Sequence, residues 1–415
     1  MAQVVPHKVG FWIVAAAFAT LGAFGTVPTP LWPLYAVRDH LNSTEVTATF
    51  AAMVLGAAGS LLFLGHLSDR WGRRRIILPA LGAGIVADVV METWPTLPGL
   101  LAGRVLTGVA VGLMAATATT YLTELHRAAH PAAAPSRVPA TVASVANLGG
   151  LSLGPIVGGA LARWTEHPLL TPYLVFLVLM AAGAVAVLIT PETVDRSTLP
   201  ASGAARFRLR AGRRAAFTGA AAVTFCSFAV FGLFSSIGSL IVRGELHVTS
   251  PFVWGVAGFV VLGVSAVAQT VFAALPAARM LAAGLAATPV GMALVVYALY
   301  EPSLGWYLIG SAVAGAGAGL LFKAALGSAI ATAQPGATAG VLAVFFVIAY
   351  IGMGLPPILL AAAGQAVSDR VAIIAFSVAV IAVSAIAARL QAATLRRPET
   401  GGTALRSSAA QMTDI

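Results

Sequence analysis

One acid and four arginines fall within the seven residues Asp69 to Arg75, inside the stretch Gly65-His66-Leu67-Ser68-Asp69-Arg70-Trp71-Gly72-Arg73-Arg74-Arg75-Ile76. An acid so placed can pair with an arginine or sit at a helix amino terminus, where unpaired N–H groups favour negative charge. Two other charges, Asp88 and Arg104, stand inside long apolar runs. A charge embedded in such a run is costly and marks a functional position by default. An opposite charge at equal depth can then bias an acid between its protonated and ionised forms, which is the chemistry of proton transfer. Other chemistries lack their parts. The single cysteine, Cys226, excludes an internal disulfide, and no cluster has metal-ligand spacing. Ser144, Ser152 and Thr119 have no nearby histidine to activate them. Neither His-Glu-x-x-His nor a Gly-x-x-x-x-Gly-Lys-Ser/Thr phosphate loop occurs. No catalytic residue, cofactor or metal is expected, and ATP does not drive the process directly.

The elements that must position these charges are membrane spans. Of 415 residues, 59% are hydrophobic and 9% charged, whereas soluble domains carry roughly a quarter charged residues. The fold class expected is therefore an all-α integral membrane protein. A span needs about 20 apolar residues, and charged turns delimit about twelve. The first six lie at 9 to 37, 45 to 66, 76 to 94, 98 to 122, 138 to 163 and 170 to 190. The other six lie at 215 to 241, 252 to 275, 280 to 300, 304 to 333, 338 to 364 and 370 to 394. The first run exceeds a signal peptide's apolar core and is expected to be retained.

Net charge +10 would suggest nucleic acid in a soluble chain, but here the basic residues flank apolar runs without an aromatic-interleaved basic face. With the amino terminus inside, 18 basic residues fall in inner segments and four in outer turns. Basic residues collect on the cytoplasmic side, so both termini are expected in the cytoplasm and the bilayer is the partner, with no nucleic acid.

The two halves repeat. Val54-Leu55-Gly56 recurs as Val261-Leu262-Gly263, Gly108 and Gly112 as Gly315 and Gly319, and Pro191-Glu192-Thr193 as Pro398-Glu399-Thr400, all at an offset of 207. A common offset near half the chain length predicts two pseudo-repeated six-helix bundles with a ligand site at their interface. The domains expected are 1–190, a basic cytoplasmic linker 191–214, 215–394, and a cytoplasmic tail 395–415. In the fifth span, Gly150, Gly154 and Gly158 share one helical face, with Pro155 and Gly159 beside them. Such a stripe permits close backbone approach, and the proline removes one helix bond. Gly352, Gly354, Pro356 and Pro357 give the eleventh span a comparable flexible point.

Three of these stretches resemble motifs of the major facilitator superfamily. The arginine-rich turn is similar to its signature Gly-x-Leu-x-Asp-Arg-x-Gly-Arg-Arg. Arg104 to Gly108 resembles Arg-x-x-Gln-Gly, with Thr107 where glutamine is usual, and Gly150 to Gly159 matches Gly-x-x-x-Gly-Pro-x-x-Gly-Gly. The last motif is associated in that family with antiporters, chiefly drug exporters.

The resemblance implies the major facilitator fold and a gating latch at Gly65, Asp69, Arg70, Gly72, Arg73 and Arg74, with Asp69 capping the eleventh span near Thr338. It also implies proton coupling at Arg104, for which Asp88 is the acid at equal depth, and an antiporter-type helix at Gly150, Gly154, Pro155, Gly158 and Gly159. Phe24, Trp32, Tyr35, Tyr121, Phe231, Phe234, Phe345, Phe346 and Tyr350 are candidate walls of an aromatic substrate cavity. Lys323 is expected to extend its ammonium to the cytoplasmic surface. The function implied is rocker-switch, proton-coupled export of an amphipathic organic compound or drug by a monomer in the plasma membrane. The alternatives are a proton-coupled importer of a small metabolite and a transporter-like receptor or scaffold without flux.

Overall fold

The computed structural model describes residues 5–64, 67–131, 136–194, 207–364, 366–367 and 369–395. Twelve helices in it are long and apolar enough to cross a membrane. In the first half these are α1 (His7–Arg38), α2 (Ser43–Phe63), α3 (Arg73–Thr93), α4 (Leu97–Ala129), α5 (Val138–Trp164) and α6 (Thr171–Leu188). The second half supplies α7 (Arg214–Ser236), α8 (Pro251–Val271), α9 (Ala277–Tyr300), α10 (Leu304–Thr332), α11 (Thr338–Ala363) and α12 (Asp369–Leu395). No strand occurs among the described residues; a single bridge joins Leu209 to Ala333. The all-α, two-bundle expectation holds. Half of the linker, residues 195–206, lies outside the described residues, as do residues 396–415 of the tail.

Local chemistry sets the helix limits. Asn42 accepts a hydrogen bond from Glu45 N at 3.0 Å, while Asn42 N donates to Glu45 Oε2 at 2.8 Å. This reciprocal capping box starts α2 two residues before the apolar run does. α4 continues past the expected limit at Leu122 to Ala129, about two further turns of polar helix.

Pro28, Pro30 and Pro33 divide α1 into His7–Thr26, a 3-10 turn Thr29–Leu31, and Trp32–Arg38. In α5 a π-helical turn, Val145–Gly149, precedes Gly150–Trp164. Pro155 cannot donate to the carbonyl of Leu151. Thr26 Oγ1 of α1 donates to that carbonyl instead, at 2.8 Å, so the bend in one span is satisfied by the hydroxyl of another.

Within the first bundle α4 packs on α1, α2 and α3, and α6 on α1 and α3; in the second, α10 packs on α7, α8 and α9, and α7 also holds α11 and α12. The repeat is visible in packing. Gly108 and Gly112 of α4 lie against Met53, Ala57 and Ser60 of α2, and their counterparts Gly315 and Gly319 of α10 lie against Val261 and Ser265 of α8. The bundles meet through α2 with α11 and α5 with α8.

Candidate functional site

The meeting surface is confined in depth. Take His7 and Leu395 to mark the terminal end of the molecule, and the α1–α2 turn the far end. Ser239 Oγ donates to Thr29 O at 2.8 Å, and Arg243 Nη1 donates to Pro33 O at 2.5 Å. The Trp164 and Phe252 rings meet in a tilted contact with centroids 5.0 Å apart. Phe50, Met53 and Val54 of α2 form one apolar cluster with Tyr350 and Met353 of α11. All these contacts lie between mid-depth and the far end. Toward the terminal end, a Cβ added to Gly59 of α2 or Gly327 of α10 would meet only open space.

The fifth-span motif is part of this surface. Gly150, Gly154 and Gly158 lie on Ala19, Ala23 and Val27 of α1, while Gly159 and Pro155 face Pro251, Gly255 and Gly258 of α8. One helix thus packs on its own bundle with one face and on the other bundle with the next. Such close backbone approach is possible only with small residues.

Arg104 is buried, with 1% exposure. Its Nη1 donates to Gly25 O at 2.9 Å, where α1 is about to break, and its Nη2 donates to Met53 Sδ at 2.8 Å. The guanidinium also lies over the Trp32 ring, 5.9 Å from its centroid, and Nε has no partner. Asp88 is fully buried, and neither carboxyl oxygen has a hydrogen-bond partner. The direct Arg104–Asp88 pair expected from equal depth is therefore not formed. Arg104 faces α1 and α2. Asp88 instead has Tyr173 of α6 in its surroundings, and Tyr173 interacts electrostatically with Arg104 as well. Tyr35 Oη donates to Tyr173 Oη at 3.1 Å.

At the terminal end the arginine-rich turn is tied to its own bundle. Gly72 takes φ +105°, a conformation that favours glycine, and it has no side chain with which to cap α3. Glu192 supplies the missing acceptor: Arg73 N and Arg74 N donate to its two carboxylate oxygens at 2.9 and 3.2 Å. Arg73 also pairs with Glu124 at 3.0 Å. Thr193 Oγ1 donates to the same carboxylate at 2.5 Å, and Arg74 Nη1 donates to Leu188 O and Thr190 O. Gly65 and the side chains of Asp69 and Arg70 lie outside the described residues. The capping residue of α11 is Ala337, which offers no side-chain hydrogen bond. Glu192 and Glu124 were missed as site residues, although Pro191-Glu192-Thr193 stood out as a repeated element.

The aromatic candidates separate into two groups. Phe24, Trp32, Tyr35 and Tyr121 are sealed in the core of the first bundle, where Tyr121 Oη donates to Pro191 O at 2.5 Å. Phe234 is likewise buried, against Tyr307. These five line no cleft in this conformation, because their rings complete the packing within a bundle. Phe231, Phe345, Phe346 and Tyr350 instead join a connected aromatic group through Phe228 and Phe322, two residues absent from the expected set. Phe228, Phe322, Phe346 and Tyr350 are half-buried. Lys323 is half-buried, and its Nζ donates to Gln269 O, one of the last carbonyls of α8 at the terminal end, and so acts as a C-terminal cap.

Twelve apolar helices in two like six-helix bundles, joined face to face toward one end, define a polytopic membrane protein of the transporter class. Residues 13–357 match the family model of the Major Facilitator Superfamily. The chain belongs to this superfamily, whose members transport small molecules across membranes. It is 30% identical over 176 residues to the class C tetracycline resistance protein of Escherichia coli, covering 40% of this chain and 41% of that protein. It is 32% identical over 85 residues to the glucose transporter GlcP of Staphylococcus epidermidis, covering 20% of this chain and 19% of that one. Both matches span less than half of the relative's own length. The solved structure of the nucleoside transporter NupG superposes with a TM-score of 0.72 at 10% identity, over 92% of this chain and 99% of that one, a likeness of fold.

Proposed function

We propose that this chain is a secondary active transporter that exports an amphipathic organic compound in exchange for protons by rocking its two bundles about a central site. The bundles are taken as residues 1–190 and 215–394, joined by the linker 191–214, with the tail at 395–415. The observation that carries the reading is the depth of the bundle contacts, which gather between mid-depth and the far end. Two rigid bodies in contact at one end can exchange that contact for one at the opposite end. The basic bias of the terminal end makes it cytoplasmic under the positive-inside rule, so this conformation faces inward in a plasma membrane. In the arginine-rich turn, Arg73 pairs with Glu124 and the main-chain N–H groups of Arg73 and Arg74 donate to Glu192.

Export is favoured by the fifth-span motif and by the likeness to a tetracycline resistance protein. An aromatic wall formed by Phe228, Phe322, Phe346 and Tyr350 suits an amphipathic ligand. The likeness to a glucose transporter supports a second reading, import of a small metabolite. A sensitivity panel of toxic organic compounds in a pump-deficient bacterial host tests the choice. Export predicts protection and lower accumulation of at least one compound, lost with a proton uncoupler. Accumulation that rises on expression would establish import.

A further inference from the structure

We propose that the seam between α9, α10 and α12 holds an anionic phospholipid of the cytoplasmic leaflet, with its phosphate on Arg389 and an acyl ester carbonyl on the Thr288 hydroxyl. The inference takes the terminal end as cytoplasmic and is independent of what the chain transports and in which direction.

A cavity of about 260 Å³ lies in this seam, walled by Leu285 and Thr288 of α9, Leu321 of α10, and Ser384 and Arg389 of α12. It is smaller than the roughly 300–1,000 Å³ of sites that enclose a drug-sized compound. It is also separate from the aromatic wall. Leu321 faces the cavity, whereas Phe322, the next residue and about 100° further round the helix, joins the aromatic group with Phe228 and Phe346. Val290 and Ile386, next to the lining residues in sequence, are 55% and 62% exposed, as apolar side chains that meet lipid must be. A narrow space beside the bilayer suits one flexible acyl chain.

Thr288 is the residue that points to a ligand. It is 2% exposed, and its hydroxyl has no hydrogen-bond partner among the described residues. Ser227, Thr270, Ser311 and Ser377 of the same bundle each donate to the carbonyl four residues back, the usual recourse of a hydroxyl within a helix. Thr288 does not, and Gly317 of α10 closes one side of it. A buried hydroxyl without a partner is costly. An acceptor placed in the cavity removes that cost, and Ser384 adds a second buried hydroxyl to the wall.

Charge selects the molecule that carries the acceptor. Between residues 207 and 395 the terminal end holds Arg208, Arg210, Arg213, Arg214, Arg279, Lys323 and Arg389, while the three acids, Glu245, Glu301 and Asp369, all stand toward the far end. The exposed Arg389 therefore has no acid of its own bundle nearby. Anionic lipids of the cytoplasmic leaflet supply the counter-charge, and basic pockets between spans on that side take their headgroups. The depths agree. Arg389 is six residues before the end of α12 and Thr288 eleven residues into α9, about 9 and 16 Å from the terminal end at 1.5 Å per residue. A cation nearer the surface and a hydroxyl deeper match the order of groups in a phospholipid, phosphate outermost and ester carbonyls below it.

The test uses the full chain, delipidated in mild detergent and studied by native mass spectrometry with added phosphatidylglycerol or phosphatidylcholine. One phosphatidylglycerol should be retained more tightly than the zwitterionic lipid. Arg389→Ala should weaken its binding about fivefold, the effect of one cation at a membrane surface. Arg389→Lys should restore most of it, and Arg279→Ala, outside the cavity, should leave it close to that of the unaltered protein. Phosphatidylglycerol with a diazirine beside one acyl ester should label segments 285–289 and 381–385, and Ala385→Trp, which fills the cavity, should remove the label. Glycerol phosphate, a headgroup without chains, should not compete. Competition by it would make the site one for a soluble anion and overturn the lipid assignment. Equal retention of the two lipids, equal losses in Arg389→Ala and Arg279→Ala, or labelling confined to other helices would overturn it too.

Discussion

Glu192 illustrates how much of the site depends on partners that sequence spacing does not reveal. Its carboxylate receives the first two N–H groups of α3, which glycine at the capping position cannot satisfy. Glu192→Ala should therefore reduce stability by about 1–2 kcal/mol, read as a lower thermal unfolding midpoint in detergent, with Glu192→Gln intermediate. Thr26→Val should cost about 1 kcal/mol by leaving Leu151 O unpaired. The sequence showed that Arg104 and Asp88 were buried charges, because a charge inside an apolar run is conspicuous. It did not show where they pointed. A backbone carbonyl and a thioether can accept from a guanidinium without leaving any pattern in residue types, and Gly25 and Met53 read as ordinary span residues. The same holds for Lys323, whose partner is a main-chain oxygen.

Among the elements, α5 lies between α1 and α8 with glycine at its close backbone contacts. A leucine in place of Gly159 would strike the backbone of Pro251 and Gly255. Gly159→Leu should accordingly prevent far-end closure and lower transport at least tenfold while membrane abundance stays near normal; equal loss of both would make the glycine a folding requirement only. Proline and glycine announced the bends in α1 and α5, since each removes a bond or a side chain at a known position. The π-turn at Val145–Gly149 was not announced, because it satisfies the backbone ahead of the proline without a composition of its own. The polar extension of α4 was likewise hidden, as hydropathy marks where lipid ends and not where a helix does.

For the whole molecule, twelve spans and the repeat offset of 207 were legible because lipid imposes length and duplication preserves register. Equivalent glycines then perform equivalent packing in both halves. The conformation was not legible, since a sequence that alternates between states must fit both. Nor was the division of aromatic residues between bundle cores and the half-buried group of the second bundle, which depends on helix rotation. The claim on which everything else turns is that the bundles rock, and paired distance measurements in one preparation test it directly. Spin labels at Leu62→Cys and Ile330→Cys would report the terminal end, and those at Val37→Cys and Val367→Cys the far end. The account predicts two populations in which one distance is long whenever the other is short, with a pH change shifting their ratio. Distances that stay fixed, or that lengthen together, would contradict it.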